Sequence, residues 1–254
     1  MKFSPYSHSR LDSFRTCPMK FKLQYIDKVK VPFEPNLALY KGSYIHECLE
    51  YNDDRPDFKT NKIFTPEEKA LALVSVNKFK EGPIWANIIK QNYINEQKFA
   101  FKIIDAKLVS CDYWDKTSWI RGAIDVHWWE GDKIFIDDYK SGKDKSTDTR
   151  FFTNDQMKTY AVWAFTEYPH INEVQTAFIY VEHGTQRHET FHRKDLTQLI
   201  KDLYADTKSC ENGERYPKKV SPLCGYCSFK EFGHCSGEVD DVDILNLVPN
   251  GLSF

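Results

Sequence analysis

Hydrophobic and polar residues repeat with two different periods along the chain, and the period changes near Asn95. Before that point apolar residues recur at the three-to-four-residue spacing of amphipathic helices. After it, apolar and polar residues alternate over 95–110, which predicts one long strand or two short ones. The helices predicted before the change are two short ones separated near Cys17 by Pro18, and others over 37–51, over 66–79 and from Pro83.

The second half of the chain predicts two hairpins and two helices. In the stretch 119–143, Gly131-Asp132 is a two-residue pair typical of a tight hairpin turn between two apolar strands. Together with the strand before it, this hairpin predicts three consecutive antiparallel strands. The remaining predictions are a helix over 155–168 stopped by Pro169, a hairpin around His183-Gly184, a helix over 194–210, and polar loops over 53–66 and 143–154.

The first hairpin carries acidic residues where strand positions are usually apolar. With a loop of two residues, Asp125 lies directly opposite Asp138, and their Cβ atoms are about 5 Å apart on one face of the sheet. Lys140 is two residues from Asp138 and shares that face, whereas Asp137 points to the other face. Facing carboxylates repel each other, and a bound divalent cation would relieve the repulsion. An exposed hairpin with an ordinary salt bridge between these groups explains the same spacing.

Three other side chains are candidates on weaker grounds. His46 lies among apolar residues of its predicted helix, and such a histidine is more often a core residue than a ligand. Gln156 and Tyr160 are four residues apart, so they share one face of a predicted helix beside its apolar stripe. Plain core packing explains this pair as well.

The C-terminal part contains a cysteine pattern typical of metal sites. Cys224 and Cys227 form a CxxC pair, and Cys235 follows in the same short stretch. Three neighbouring thiols in a reduced protein predict a metal or cluster site that needs a fourth ligand. Cys17, at the break between two helices, is the best candidate, and His234 is a local rival. The remaining cysteines have no partners at ligand spacing and are expected in the interior: Cys48, Cys111 and Cys210.

Composition narrows the class of protein. A chain of 254 residues with 41% hydrophobic residues can form a substantial core, and no apolar run is long enough to span a membrane. Its start lacks the apolar segment of a signal peptide, and seven cysteines do not suit a disulfide framework. A reducing compartment such as the cytoplasm is therefore expected. The net charge of −2 predicts no general attraction to nucleic acid, so DNA affinity would come from local basic patches.

Taken in order, these motifs resemble the PD-(D/E)XK nuclease superfamily, in particular its RecB-type exonucleases with an iron–sulfur cluster. That branch includes the AddB nuclease domain and the CRISPR-associated adaptation exonucleases. The matching segments cover almost the whole chain: SHSRLDSFRTCPMKFKLQYIDKV, GSYIHE, GAID, DYKSG, DQMKTYAVW, and CGYC with Cys235. The resemblance implies an α/β fold with a restriction-endonuclease-like core, in which helices flank a mixed central β-sheet and a metal cluster joins the N- and C-terminal segments.

The expected organisation is one nuclease domain over 1–237, including the cysteine module of Cys17 and 224–235. A tail over 238–254 follows, acidic and then apolar, which is either a docking peptide for a partner protein or the last packed turn of the domain. The sequence leaves both alternatives open.

The resemblance also implies roles for the candidate residues. The implied ligands of Mg²⁺ or Mn²⁺ are His46, Asp125, Asp138 and the Tyr139 carbonyl, and Glu96 is similar in place to a further acidic position of the family. The implied catalytic residues are Asp125, Asp138, Lys140, Gln156 and Tyr160. The implied ligands of a [4Fe–4S] cluster are Cys17, Cys224, Cys227 and Cys235, with a structural Zn²⁺ as the alternative.

The function implied by the resemblance is a metal-dependent DNA exonuclease. It would hydrolyse phosphodiester bonds of single-stranded DNA or DNA ends in recombination, repair or replication. One alternative is a non-catalytic protein that binds DNA ends, which the intact acidic pair and lysine argue against. Another is a nuclease subunit active only in a helicase complex, where a separate subunit would be the motor because this chain has no P-loop motif.

Overall fold

The computed structural model describes residues 5–32, 37–52, 65–142, 155–211 and 216–237. The predicted loop over 143–154, the tail over 238–254 and all but the end of the predicted loop over 53–66 lie outside these residues. The chain divides into two compact units. Among the described residues, the first unit contains 9–32, 206–211 and 216–237, and the second contains 5–8, 37–52, 65–142 and 155–205. The organisation as one domain over 1–237 stays a prediction.

The second unit contains a six-stranded mixed sheet. Its strands stand in the order β2-β1-β3-β4-β5-β6, and the pair β4–β5 is parallel whereas the other neighbours are antiparallel. The strands are β1 Ile94–Ile104, β2 Lys107–Cys111, β3 Ile120–Glu130, β4 Lys133–Lys140, β5 Glu173–Tyr180 and β6 Thr185–His192. The predicted mixed sheet is confirmed, and the alternating stretch forms two strands.

Local turn chemistry explains the three hairpins. Asp105 and Ala106, between β1 and β2, both have positive φ, the geometry of a two-residue turn that matches the twist of the strands. Gly131 and Gly184 also have positive φ, which glycine adopts without a steric penalty. The turn at Gly131 gives the predicted register of β3 on β4, in which Val126 pairs with Asp137.

Helices cover both faces of the sheet. Those that pack on one face are α3 Leu37–Glu50, α4 Pro66–Lys80 and α5 Pro83–Ile88. Together they form a buried core with strand residues that include Val126, Trp128 and Tyr139. Thr65 and Glu68 form a capping box that fixes the start of α4.

The crossover between the parallel strands contains α6, Asp155–Glu167, which has the predicted buried stripe. Its Trp163 ring stacks on Phe99 of β1 with centroids 5.5 Å apart, so α6 packs against the sheet. β6 is the last strand of the sheet along the chain. After it, a 3₁₀ turn, Arg193–Asp195, leads into α7, Leu196–Glu211. The unit boundary falls within α7.

The first unit brings the two ends of the chain together. The backbone N–H of Met19 donates to the Pro217 carbonyl at 3.2 Å, and the Phe21 ring stacks on Tyr216. The Lys219 ammonium donates to the Arg15 carbonyl at 3.0 Å. Its elements are most of α1 His8–Thr16, α2 Pro18–Phe21, a π turn over Lys22–Ile26, a 3₁₀ turn over Pro222–Tyr226 and α8 Ser228–Glu231. The predicted helix break at Cys17 is confirmed.

Within the described ranges, no helix has both the length and the apolar character needed to cross a membrane.

Candidate active site

The acidic pair of the hairpin lies just beyond the last paired residues of β3 and β4. There the Asp125 carboxylate accepts a hydrogen bond of 2.7 Å from the backbone N–H of Tyr139. A side chain thus replaces a strand carbonyl as the acceptor, and the ladder ends at Val126 and Asp137. Burial raises the pKa of Asp125, and the negative charge of Asp138 raises it further. The repulsion between the two negative charges favours a proton or a cation at this end of the ladder.

His46 projects from α3 toward this pair. Its Nδ1 is 3.4 Å from Oδ1 of Asp125. Burial opposes the charged imidazole, but the hydrogen bond and the charge of Asp125 outweigh burial and raise the pKa of His46 to about 9. A metal ion binds the neutral ring, so binding of a cation here would release a proton.

Glu96 on β1 completes the acidic surface. It lies between two residue pairs of β1 and β3, Asn95 with Val126 and Gln97 with Ile124, and is therefore opposite Asp125. Its φ of 50° is rare for a residue with a Cβ atom, and such strain is concentrated at functional sites. Burial raises the pKa of Glu96 to about 7, and the charge of Asp125 adds to this effect.

His46, Glu96 and Asp125 form a compact group of potential metal ligands. One ligand atom from each lies within 4.8 Å of the others, and among the described residues this is the one group of three or more such side chains. Two carboxylates and an imidazole suit a divalent cation such as Mg²⁺ or Mn²⁺, for which oxygen donors dominate. Asp138 lies outside this compact group, so metal ligation by Asp138 and by the Tyr139 carbonyl stays a prediction.

Asp138 instead lies at the centre of a hydrogen-bonded network. Its Oδ2 is 2.5 Å from the Lys140 ammonium. Its Oδ1 accepts from the Gln156 amide at 2.6 Å and lies 2.9 Å from the Tyr160 hydroxyl. The structure thus brings together the Asp-x-Lys pair of β4 and two side chains from one face of α6.

Gln156 and Tyr160 also join the remaining members of the network. The Gln156 amide oxygen accepts from Lys140 at 3.2 Å, and its nitrogen donates to the Tyr160 hydroxyl at 2.7 Å. The hydroxyl lies 2.8 Å from the Ala123 carbonyl of β3. Burial and the charge of Asp138 raise the pKa of Tyr160 well above its ordinary value, so the phenol stays neutral. This arrangement fixes the Lys140 ammonium beside the acidic surface.

Comparison with models of known families assigns the chain to a superfamily. The model of the PD-(D/E)XK nuclease superfamily matches residues 5–232. The chain belongs to the PD-(D/E)XK nuclease superfamily. The match contains the hairpin, α3 and α6, and therefore every residue of the site.

Among solved structures, an exonuclease of Eubacterium rectale, so named provisionally, is similar to this nuclease with a TM-score of 0.58. It is 14% identical over 95% of this chain and 92% of its own. The protein SSO0001 is 10% identical over 92% of this chain and 87% of its own, with a TM-score of 0.43, too low to carry an argument. No curated protein matches the sequence. At these identities the likeness supports the fold of the nuclease and not its substrate.

Asp137 of the nuclease faces away from the network, as predicted. Its side chain is buried and lines a separate cavity of about 360 Å³, together with Trp128 and Asn87. Burial raises the pKa of Asp137 to about 8, and the charge of Asp138 contributes. Asp137 and Asp138 thus have different surroundings, because alternate strand residues face opposite sides of the sheet.

The four cysteines assigned to a cluster line one cavity of the first unit, about 60 Å³ in volume. No three of their sulfur atoms lie within 4.8 Å of one another, so they do not form a compact group like that of the acidic site. His234 does not line this cavity. Of the cysteines expected in the interior, Cys48 and Cys210 are buried, whereas Cys111 is partly exposed because it lies at the end of an edge strand.

Proposed function

We propose that this nuclease is a metal-dependent DNA exonuclease, which hydrolyses phosphodiester bonds in single-stranded DNA or at DNA ends. The observation that carries the proposal is a possible metal site joined to β4 by the hydrogen bond from the Tyr139 backbone N–H to Asp125, in a chain of this superfamily. His46, Glu96 and Asp125 offer a metal site. Beside it, Asp138 and Lys140 form an ion pair that α6 holds in place.

Each side chain has a distinct part in the proposed reaction. His46, Glu96 and Asp125, with Asp138 and the Tyr139 carbonyl as the further predicted ligands, would hold Mg²⁺ or Mn²⁺. The cation would activate water and offset charge on the phosphate. The Lys140 ammonium would orient the water and stabilise negative charge that develops on the phosphoryl oxygens. Gln156 and Tyr160 position Lys140 and Asp138 and would order the DNA strand near the scissile phosphate.

The overall reaction is a hydrolysis. The water oxygen forms a new bond to phosphorus, and the bond from phosphorus to the leaving nucleoside oxygen breaks. The water loses one proton to solvent, and the leaving oxygen gains one, so the products are a terminal phosphate and a terminal hydroxyl. His46 is positively charged in the metal-free protein, so it must lose its proton before it can hold a cation.

The test is cleavage of labelled single-stranded DNA with Mg²⁺ or Mn²⁺, with and without a chelator. Wild-type protein should degrade the DNA only with metal, and Lys140→Ala should lose about 100-fold or more in rate. Lys107→Ala, which removes an exposed lysine of β2, is the matched control and should retain full activity. DNA binding without cleavage in wild type would instead support the non-catalytic alternative.

The choice of exonuclease over endonuclease rests on the resemblance of the motifs and on the name of the Eubacterium rectale protein. Recombination, repair or replication in a bacterial or infected-host cytoplasm is the corresponding proposed setting. A partner helicase is a further proposal, as is a partner protein bound by the tail over 238–254.

We also propose that Cys17, Cys224, Cys227 and Cys235 bind a [4Fe–4S] cluster. All four line one cavity, and hydrogen bonds between the two chain ends surround it. A structural Zn²⁺ bound by the same four thiolates is the alternative. The role of the metal centre, cluster or zinc, would be structural.

A further inference from the structure

Exposed and partly exposed aromatic and basic side chains form a cluster in the loop between β2 and β3 and on the adjacent strands. We call Lys98, Tyr113, Trp114 and Arg121 the aromatic–cation cluster. The Arg121 guanidinium lies 5.2 Å from the Tyr113 ring and 5.9 Å from the Trp114 ring, and Lys98 lies 5.8 Å from Tyr113. Trp114 is 71% exposed, which is unusual for the largest apolar side chain. The exposure leaves a flat surface open beside two positive charges.

The sheet register connects this cluster to the acidic site. On β3, Arg121 is four residues from Asp125. On β1, Lys98 pairs with Ala123, and Glu96 follows toward the acidic site. At about 3.4 Å per residue, Arg121 is about 14 Å along β3 from Asp125. The cations of the cluster and two of the metal-ligand candidates, Glu96 and Asp125, thus lie on the same two neighbouring strands.

The loop that carries Tyr113 and Trp114 is held by its own acidic residues. The Asp112 carboxylate accepts from the backbone N–H of Trp114 at 2.7 Å. Asp115 accepts from the backbone N–H of Thr117 at 2.8 Å and pairs with Lys102 at 2.8 Å. Lys102 thus offsets the charge of Asp115, the Asp112 carboxylate binds the loop backbone, and Arg121 and Lys98 are the cations that contact the rings.

We propose that the aromatic–cation cluster binds the unpaired bases of single-stranded DNA a few nucleotides from the scissile phosphate. Exposed aromatic rings accept stacked bases of any sequence, and neighbouring cations contact the phosphate backbone. Stacking requires unpaired bases, so this surface selects single strands or frayed ends over intact duplex. The inference rests on the proposed nuclease function only for the position of the scissile phosphate.

The test is the affinity for a fluorescein-labelled 20-nucleotide single strand, measured by anisotropy in EDTA so that no cleavage occurs. Trp114→Ala should bind about 5- to 150-fold more weakly, whereas Trp114→Phe should retain most of the affinity. Leu71→Ala is the matched control, because Leu71 is 69% exposed on α4, and it should bind as wild type does. Trp114→Ala should melt at the wild-type temperature, since its side chain is exposed.

Salt dependence separates the two parts of the cluster. Arg121→Gln should reduce the slope of log affinity against log salt by about 0.7, the value for one lost contact to a single-strand phosphate. Trp114→Ala should weaken binding at every salt concentration and leave that slope unchanged. A blunt duplex of the same length should compete weakly for the wild-type protein.

The outcomes also separate this inference from the proposed nuclease activity. If wild type does not cleave DNA but Trp114→Ala still weakens binding, the surface is correct and the nuclease proposal fails. If Trp114→Ala binds within twofold of wild type, or if duplex binds as tightly as the single strand, the surface is not a single-strand site, whatever the cleavage assay shows.

Discussion

Asp125 shows which features of single residues the sequence could predict. Its position opposite Asp138 follows from a two-residue hairpin loop, and the observed register agrees as far as the neighbouring pair, Val126 with Asp137. The hydrogen bond from the Tyr139 backbone could not be predicted, because it forms where the strand ladder ends. Glu96 entered only as a position similar to the family, because its approach to Asp125 depends on pairing between distant strands and on a strained φ.

The metal site predicts a specific effect for Glu96→Gln. Loss of this carboxylate should weaken Mn²⁺ binding by about tenfold or more, since it removes a charged ligand. The metal-free protein should not lose stability, because a negative charge next to Asp125 is removed. Calorimetric titration with Mn²⁺ measures the first effect and thermal melting the second.

The matched control for that variant is Glu130→Gln, which changes an exposed glutamate at the far end of β3. It should bind Mn²⁺ as wild type does. Equal Mn²⁺ affinity in Glu96→Gln and wild type would show that Glu96 is not a ligand.

Tyr160→Phe tests the network around Asp138. The variant leaves the Ala123 carbonyl and one Asp138 oxygen without the phenol, which should cost about 1–3 kcal/mol of unfolding free energy. Because Asp138 and Lys140 are then less well oriented, DNA cleavage should fall by about 10- to 100-fold. Urea unfolding and initial cleavage rates measure the two effects.

A second tyrosine supplies the comparison. Tyr216→Phe also removes a hydroxyl hydrogen bond, to the Cys210 carbonyl, but lies outside the site. It should lose some stability and no activity. A Tyr160→Phe variant with wild-type cleavage would show that the hydroxyl does not support the site.

At the scale of elements, structure set by neighbouring residues was predictable and pairing between distant segments was not. The breaks and turns at Cys17, Gly131 and Gly184 depend on local backbone chemistry, and each was found near its predicted position. The parallel pairing of β4 with β5 needs the crossover through α6, which hydrophobic periodicity does not specify. The π turn over Lys22–Ile26 also lacked a local signal.

Gly131→Ala tests the turn that places the acidic pair. Gly131 has a φ of 64°, so a Cβ atom there should cost about 1–2 kcal/mol of unfolding free energy. Gly225→Ala, where an added Cβ also meets no atom within 4 Å but φ is not positive, should cost less. Equal urea midpoints for the two variants would contradict the positive-φ turn at Gly131 as the origin of the register.

At the scale of the whole molecule, the sequence predicted that the two chain ends assemble and which cysteines share a cavity. It could not give the spacing of the sulfurs, which depends on how two distant segments pack in the first unit. Metal binding by the four cysteines of the first unit therefore has to be tested chemically.

Cys17→Ser tests the proposed cluster. Wild-type protein purified without oxygen should be brown and contain about four iron atoms per chain. The variant should lose colour and iron and should melt at a lower temperature, because the cluster links segments that are far apart in the chain. Cys111→Ser, at a cysteine outside the cavity, should retain both. A colourless wild type with one tightly bound zinc would support a tetrahedral site instead.

The most direct test of metal-dependent exonuclease activity compares three forms of one single-stranded DNA with Mn²⁺: labelled at the 5′ end, labelled at the 3′ end, and closed into a circle. An exonuclease should release short labelled products at once from one end only, shorten the other labelled strand gradually, and leave the circle intact. Lys140→Ala should leave all three forms of the DNA intact. Cleavage of the circle as fast as of the linear strand, or degradation by Lys140→Ala at the wild-type rate, would contradict the proposed function.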